Sequence, residues 1–119
     1  MSSKEILMIV DDTPNVGRAL SRIFTKKFDE VHVLSCAAEA AALLGQKPVT
    51  HIICDQCLGE GDPRGLDLVP LWRREHPSIE RAIILTGLDE TTFVASPGID
   101  AVVSKLAGSE ELVRALKGA

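Results

Sequence analysis

The sequence contains no tyrosine and few other aromatic residues. Of its 119 residues only 3% are aromatic, so aliphatic side chains must fill the core. The apolar content of 45% and the charged content of 25% are ordinary for a globular protein. A chain of this length fits one domain, and we expect that domain to cover residues 1–119.

Other absences exclude whole classes of protein. No apolar run approaches the roughly 20 residues that a membrane helix needs. Residues 1–5 lack the apolar core of a signal peptide. Three cysteines, an odd number, do not suggest a disulfide framework. The net charge of -4 argues against nonspecific nucleic-acid binding, which depends on basic patches. We therefore expect a protein of the reducing cytoplasm that binds neither membranes nor nucleic acid directly.

Short apolar runs alternate along the chain with apolar residues at helical spacing. The runs predict five strands, at residues 6–10, 31–34, 50–57, 82–85 and 101–103. Apolar stripes and helix-end signals predict helices starting near residues 14, 37 and 66, a weak polar helix at 89–96, and a last helix with Ser109 as its N-cap. Five strand–helix units predict an α/β fold in which helices cover both faces of a parallel sheet.

Acidic residues follow two of the predicted strands. Asp11 and Asp12 follow the first strand, and Asp55 follows the apolar run of the third. In a parallel sheet of order 2-1-3-4-5 the strand order reverses between these two strands, which is where such sheets bind ligands. Clustered carboxylates share a proton or bind a cation, and an all-oxygen site suits Mg²⁺. We predict a phosphoryl-transfer site in which Asp55 is the nucleophile. Taken alone, the pair Asp11-Asp12 equally fits an N-cap before Pro14.

Two further residues at strand ends suit this chemistry. Thr86 ends the fourth strand beside Gly87, and its hydroxyl can donate a hydrogen bond to a phosphoryl oxygen. Lys105 follows the fifth strand and carries a compact positive charge. We predict that both contact a phosphoryl group on Asp55.

These residues and their order resemble the receiver domain of bacterial two-component response regulators. The resemblance covers nearly the whole chain and implies a flavodoxin-like (βα)5 three-layer sandwich with sheet order 2-1-3-4-5. It implies that Asp55 is the phosphoacceptor and that Asp12 binds Mg²⁺ directly. It also implies that Asp11 acts mainly through water and that the backbone carbonyl of Cys57 is a further ligand.

The resemblance implies partners as well. A histidine kinase or a histidine phosphotransfer protein would supply the phosphoryl group. The domain would catalyse only its own phosphorylation and dephosphorylation, and so would not be an enzyme in the usual sense. Phosphorylation would change binding to a partner protein or an output domain, in a stand-alone regulator or in the N-terminal part of a longer one. A homodimer through the predicted helix at 89–96, the fifth strand and the last helix is a further expectation.

Three positions depart from the family pattern. Gly59 stands where a proline is usual, Leu106 follows Lys105 where the family often has proline, and Val102 replaces a common aromatic. Without that aromatic, we expect the loops after strands four and five to carry the switch. The first two departures also allow a receiver-like interaction module that is not phosphorylated.

The two cysteines around Asp55 suggest a different function. Cys54 and Cys57 form a C-x-x-C, which allows a small thiol redox protein. However, Cys54 lies within an apolar strand, and this favours a small core residue. His51 should point to the opposite face of the strand from Cys54.

Overall fold

The computed structural model describes residues 4–56, 64–87, 98–105 and 108–117. The elements follow in the order β1 (Ile6–Val10), α1 (Pro14–Phe24), β2 (Glu30–Leu34), α2 (Ala37–Gln46), β3 (His51–Asp55), α3 (Gly65–Glu75), β4 (Arg81–Thr86), β5 (Ala101–Ser104) and α4 (Ser109–Lys117). The helix predicted at 89–96, and with it part of the expected dimer face, lies outside the described residues. So do Cys57, Gly59 and Leu106.

All five strands are parallel and form one sheet of order β2-β1-β3-β4-β5, which confirms the predicted order. Every residue of β1 and β3 is buried, because helices cover both faces of these inner strands. In the register, Val10 lies opposite Cys54, and Asp55 lies opposite Leu85. The carboxyl ends of β1, β3 and β4 therefore meet at one edge of the sheet.

The helices form a layer on each side of the sheet. Alternate strand residues divide between two cores, as the pleat of a strand requires. One core packs against α2 and α3 and includes Trp72, and the other packs against α1 and α4 and includes Phe24. Aliphatic residues fill most of both cores, as expected from the scarcity of aromatics. The three-layer α/β sandwich is confirmed.

The start of α4 differs by one residue from the prediction. The helix includes Ser109, and the carbonyl of Gly108 accepts a hydrogen bond from the amide of Leu112 at 3.2 Å. Gly108 therefore holds the cap position predicted for Ser109. Within the described ranges, no helix is long and apolar enough to cross a lipid bilayer.

His51 lies at the start of β3, at the opposite end of the strand from Asp55. It is only 6% exposed, and its ring centroid lies 4.9 Å from that of Phe28. Its Nδ1 lies 2.8 Å from the hydroxyl oxygen of Thr50. Burial lowers the pKa of His51 from 6.5, although the charge of Glu5 opposes this shift. The imidazole is thus held neutral inside the fold.

We expect this buried imidazole to make the fold acid-sensitive. The unfolded chain binds a proton at His51 near pH 6.5, whereas the folded chain does so only at lower pH. Stability is therefore complete above pH 6.5 and falls as the pH drops towards the folded pKa, by at most about 1.4 kcal/mol per pH unit. Urea unfolding between pH 8 and pH 5 should show this loss in the wild type and a flatter profile in His51→Gln. Equal slopes in the two proteins would contradict the assignment.

Candidate functional site

Three carboxylates meet at the carboxyl edge of the sheet. One oxygen from each of Asp11, Asp12 and Asp55 lies within 4.8 Å of the others. Asp11 follows β1 and is 1% exposed, and Asp55 ends β3 and is 3% exposed, whereas Asp12 is open to solvent. The sheet topology therefore buries two of the three carboxylates.

Asp11 is held by both its backbone and its side chain. Its amide donates to the carbonyl of Leu34 at 3.0 Å, which extends the pairing of β1 with β2. Its Oδ1 accepts the amide of Thr13 at 2.8 Å, as in an Asx turn. Thr13, not an aspartate, occupies the N-cap position of α1, so the alternative of a plain aspartate cap is wrong. The Oδ2 of Asp11 is buried and has no hydrogen-bond partner among the described residues.

Lys105 brings one positive charge to this cluster. Its Nζ lies 2.9 Å from Oδ2 of Asp55 and 3.9 Å from Oδ2 of Asp11. Burial alone would lower the pKa of Lys105, but the hydrogen bond to Asp55 and the charge of Asp11 raise it overall. Burial raises the pKa of Asp11, and the charge of Asp55 adds to that rise against the opposing amide of Thr13. One ammonium cannot offset three carboxylates, so the cluster retains an excess of negative charge.

This donor set fits a hard divalent cation. Carboxylate oxygens are the ligands such cations prefer, and a buried oxygen without a hydrogen bond needs a proton or a ligand. The Oδ2 of Asp11 is such an oxygen. One carboxylate oxygen from each of Asp11, Asp12 and Asp55 lies close enough to the others to bind a single ion. The further ligand expected from Cys57 lies outside the described residues.

Thr86 lies at the same edge, as predicted. It is buried at the end of β4, one residue beyond Leu85, which pairs with Asp55. Its carbonyl accepts the amide of Lys105 at 2.9 Å, so the end of β5 is fixed beside the end of β4. Gly87 is exposed at this point. The structure thus places Thr86 and Lys105 near Asp55, and their contacts with a phosphoryl group stay predictions.

Gln56 is a residue of the site that the sequence did not reveal. It follows Asp55 directly and is 4% exposed. Its amide donates to the carbonyl of Leu85 at 2.9 Å, and its carbonyl accepts the amide of Gly65 at 3.1 Å. Its side-chain Oε1 accepts the amide of Leu66 at 3.0 Å. A polar residue directly after a buried strand was the available signal, but its hydrogen-bond partners, Gly65, Leu66 and Leu85, are all distant in sequence.

Gly65 allows α3 to begin directly against the end of β3. A Cβ atom at this position would lie 2.6 Å from the carbonyl oxygen of Asp55. It would also lie 3.2 Å from Sγ of Cys54, in the packed interior. A side chain here would displace the helix from the acidic cluster.

Cys54 belongs to the core rather than to a reactive site. It is fully buried, and its thiol lies 3.3 Å from the carbonyl oxygen of Asp55. Burial raises the pKa of this thiol far above its ordinary value, with the charge of Asp55 adding to the effect. Thiolate chemistry needs the opposite shift. The core interpretation of Cys54 is confirmed, and Cys57 lies outside the described residues.

Comparison with known sequences identifies a matching protein family and a relative of this chain. A family profile of the response regulator receiver domain matches residues 7–117. The hydrogenase transcriptional regulatory protein HoxA of Cupriavidus necator is 33% identical over 96 residues, which are 80% of this chain and 19% of that protein. The chain therefore spans about a fifth of the length of this relative.

Solved structures of the same shape are also response regulator domains. The signal receiver domain of an HD domain-containing protein from Pseudomonas fluorescens Pf-5 matches with a TM-score of 0.82 at 21% identity, over 99% of this chain and 90% of that one. A response regulator from Burkholderia pseudomallei matches with a TM-score of 0.76 at 25% identity, over 94% of this chain and 66% of that one. The Burkholderia crystal structure contains a phosphorylated aspartic acid, a calcium ion and citrate.

The excess negative charge predicts that Asp11→Asn stabilises the protein when divalent cations are absent. The asparagine side chain keeps an oxygen that can accept the hydrogen bond from the backbone amide of Thr13. The substitution also removes a buried negative charge beside Asp55. In EDTA we expect a gain of about 1 kcal/mol in the free energy of unfolding at pH 7. In millimolar Mg²⁺ the wild type should gain stability and the variant should gain less. An Asp11→Asn protein that is less stable than the wild type in EDTA would contradict this reading.

Proposed function

The chain belongs to the response regulator receiver domain family, and we propose that Asp55 is its phosphoacceptor, with Mg²⁺ held by Asp11, Asp12 and Asp55. The observation that carries the proposal is the 2.9 Å pair between Lys105 and a buried Asp55 inside the acidic cluster. The phosphorylated aspartic acid and the bound calcium ion of the Burkholderia relative support the same chemistry.

The reaction requires little from the protein beyond placement and charge. An oxygen of Asp55 attacks the phosphorus of a phosphohistidine, the new P–O bond forms as the P–N bond breaks, and the imidazole leaves with the electron pair. The product is a mixed anhydride on Asp55. When bound, Mg²⁺ would offset the negative charge on the carboxylates and on the phosphoryl oxygens. Lys105 would then contact a phosphoryl oxygen, and the Thr86 hydroxyl would donate to another.

The proposal extends to the partners. A histidine kinase or a histidine phosphotransfer protein supplies the phosphoryl group, and the domain acts on no substrate other than its own phosphoryl group. Contacts of that group with Thr86 and Lys105 favour one arrangement of the segments that follow β4 and β5. The output is altered binding to a partner protein or a linked domain, and the relative that regulates hydrogenase transcription supports an output in gene control.

We expect acetyl phosphate and Mg²⁺ to place one phosphoryl group on the wild-type protein. Intact-mass spectrometry should detect the adduct, and the adduct should be absent in Asp55→Asn and in wild-type protein kept in EDTA. Circular dichroism would verify that the Asp55→Asn protein is folded. A folded wild type without an adduct would instead favour an interaction module that is not phosphorylated. Turnover of a disulfide substrate would favour the thiol redox alternative.

Removal of the Lys105 charge should slow the reaction without preventing folding. In Lys105→Met we expect the rate of adduct formation to fall about 100-fold or more, because a donor aimed at developing charge is lost. Lys47→Met is the matched control, since Lys47 pairs with Glu30, which lies at the start of β2 and not at the acidic edge. Time courses of intact mass would compare the three proteins. Equal rates for Lys105→Met and Lys47→Met would remove Lys105 from the mechanism.

A further inference from the structure

Helix α3 receives its N-terminal cap from a distant residue. The residue at its N-cap position, Arg64, makes no side-chain capping hydrogen bond. The first amides of a helix have no partner within the helix and need one elsewhere. Here Gln56 supplies two acceptors, because its backbone carbonyl binds the amide of Gly65 and its side-chain Oε1 binds the amide of Leu66. One residue beside the acceptor therefore caps the helix.

The cap also fixes the backbone on both sides of the segment at 57–64. Gln56 precedes that segment and Gly65 follows it, and hydrogen bonds of 3.1 Å and 3.0 Å join Gln56 to the amides of Gly65 and Leu66. Gly65 packs so closely that a Cβ there would meet the carbonyl oxygen of Asp55 at 2.6 Å. The position of the helix and the position of the Asp55 peptide therefore depend on each other.

The side-chain amide of Gln56 would not be needed at this buried position if the residue served packing alone. Gln56 is 4% exposed, and an apolar side chain would fill the same space without the cost of removing a polar group from water. The hydrogen bond to Leu66 gives the amide a specific role, because it sets the direction of the side chain and the distance from β3 to α3.

We propose that Gln56 is a positioning residue for phosphoryl transfer. Its side-chain amide holds α3 against the end of β3, and so it orients the carboxylate of Asp55. This inference rests on the proposed function, since it assigns Gln56 to the same site. Gln56 itself contacts no reacting atom in this mechanism.

The test compares Gln56→Met with the wild type. Methionine has the same length, but its thioether sulfur is a far weaker hydrogen-bond acceptor than an amide oxygen. The matched control is Gln46→Met, which changes an exposed glutamine at the end of α2. Gln56→Asn, which keeps the amide but is one methylene too short, takes the place of the methionine variant if that protein does not fold. Three measurements follow on each protein: amide hydrogen exchange at Leu66, Mg²⁺ affinity by calorimetry, and phosphorylation by acetyl phosphate.

We expect the Leu66 amide to exchange at least about tenfold faster in Gln56→Met than in the wild type. The maximal phosphorylation rate should fall about tenfold, while the half-saturating acetyl phosphate concentration changes less than about twofold, because orientation rather than donor binding is lost. Mg²⁺ should bind about threefold or more weakly, as expected when a supporting partner of a ligand is lost. Gln46→Met should match the wild type in all three measurements.

A purely structural role gives a different result. A Gln56→Met protein with a lower melting temperature but with wild-type phosphorylation and Mg²⁺ affinity would overturn the proposal. If the wild type forms no adduct, the proposed function fails, and the Mg²⁺ affinities alone decide the role of Gln56. Equal affinities in the wild type and in Gln56→Met would then overturn the positioning role as well.

Discussion

The charge balance between Lys105 and two buried aspartates is the constraint on which the rest of this edge depends. Asp11 and Asp55 are both nearly excluded from water, and Lys105 contacts one and lies 3.9 Å from the other. Burying like charges this close together costs free energy unless positive charge compensates. One ammonium is too little for three carboxylates. The excess of negative charge favours the binding of a divalent cation at this edge.

The order of the strands produces this balance. Asp11 and Asp55 follow or end neighbouring strands, β1 and β3. The strand order of the sheet reverses between these two strands. Lys105 follows β5, two strands from β3, and reaches Asp55 across the end of β4. The hydrogen bond between the Lys105 amide and the Thr86 carbonyl fixes the backbone from which the Lys105 side chain extends. Parallel strand pairing thus brings together residues that are distant in sequence.

Much of this arrangement was predictable from the sequence, for identifiable reasons. Unbroken apolar runs indicated inner parallel strands, and the edge residues followed from where those runs ended, as for Asp11 and Asp55. The cap of α3 was not predictable, because Gln56 binds amides about ten residues further along the chain. The cap of α4 was misplaced by one residue, because a glycine carbonyl serves where a serine was expected. Local patterns reveal strand ends, whereas contacts between distant segments leave no periodic signal.

Helix α3 contacts the residue that follows β3 and the residue that precedes β5. Its N-terminus is bound to Gln56, and near its C-terminus Arg73 donates hydrogen bonds to the carbonyl of Gly98 at 3.2 Å and to Oδ2 of Asp100 at 2.6 Å. Asp100 directly precedes β5, the strand that ends just before Lys105. Helix α3 therefore links the end of β3 to the start of β5, in addition to the pairing of both strands with β4. A shift of the end of β3 relative to the start of β5 would therefore disturb both the strand pairing through β4 and the hydrogen bonds at the two ends of α3.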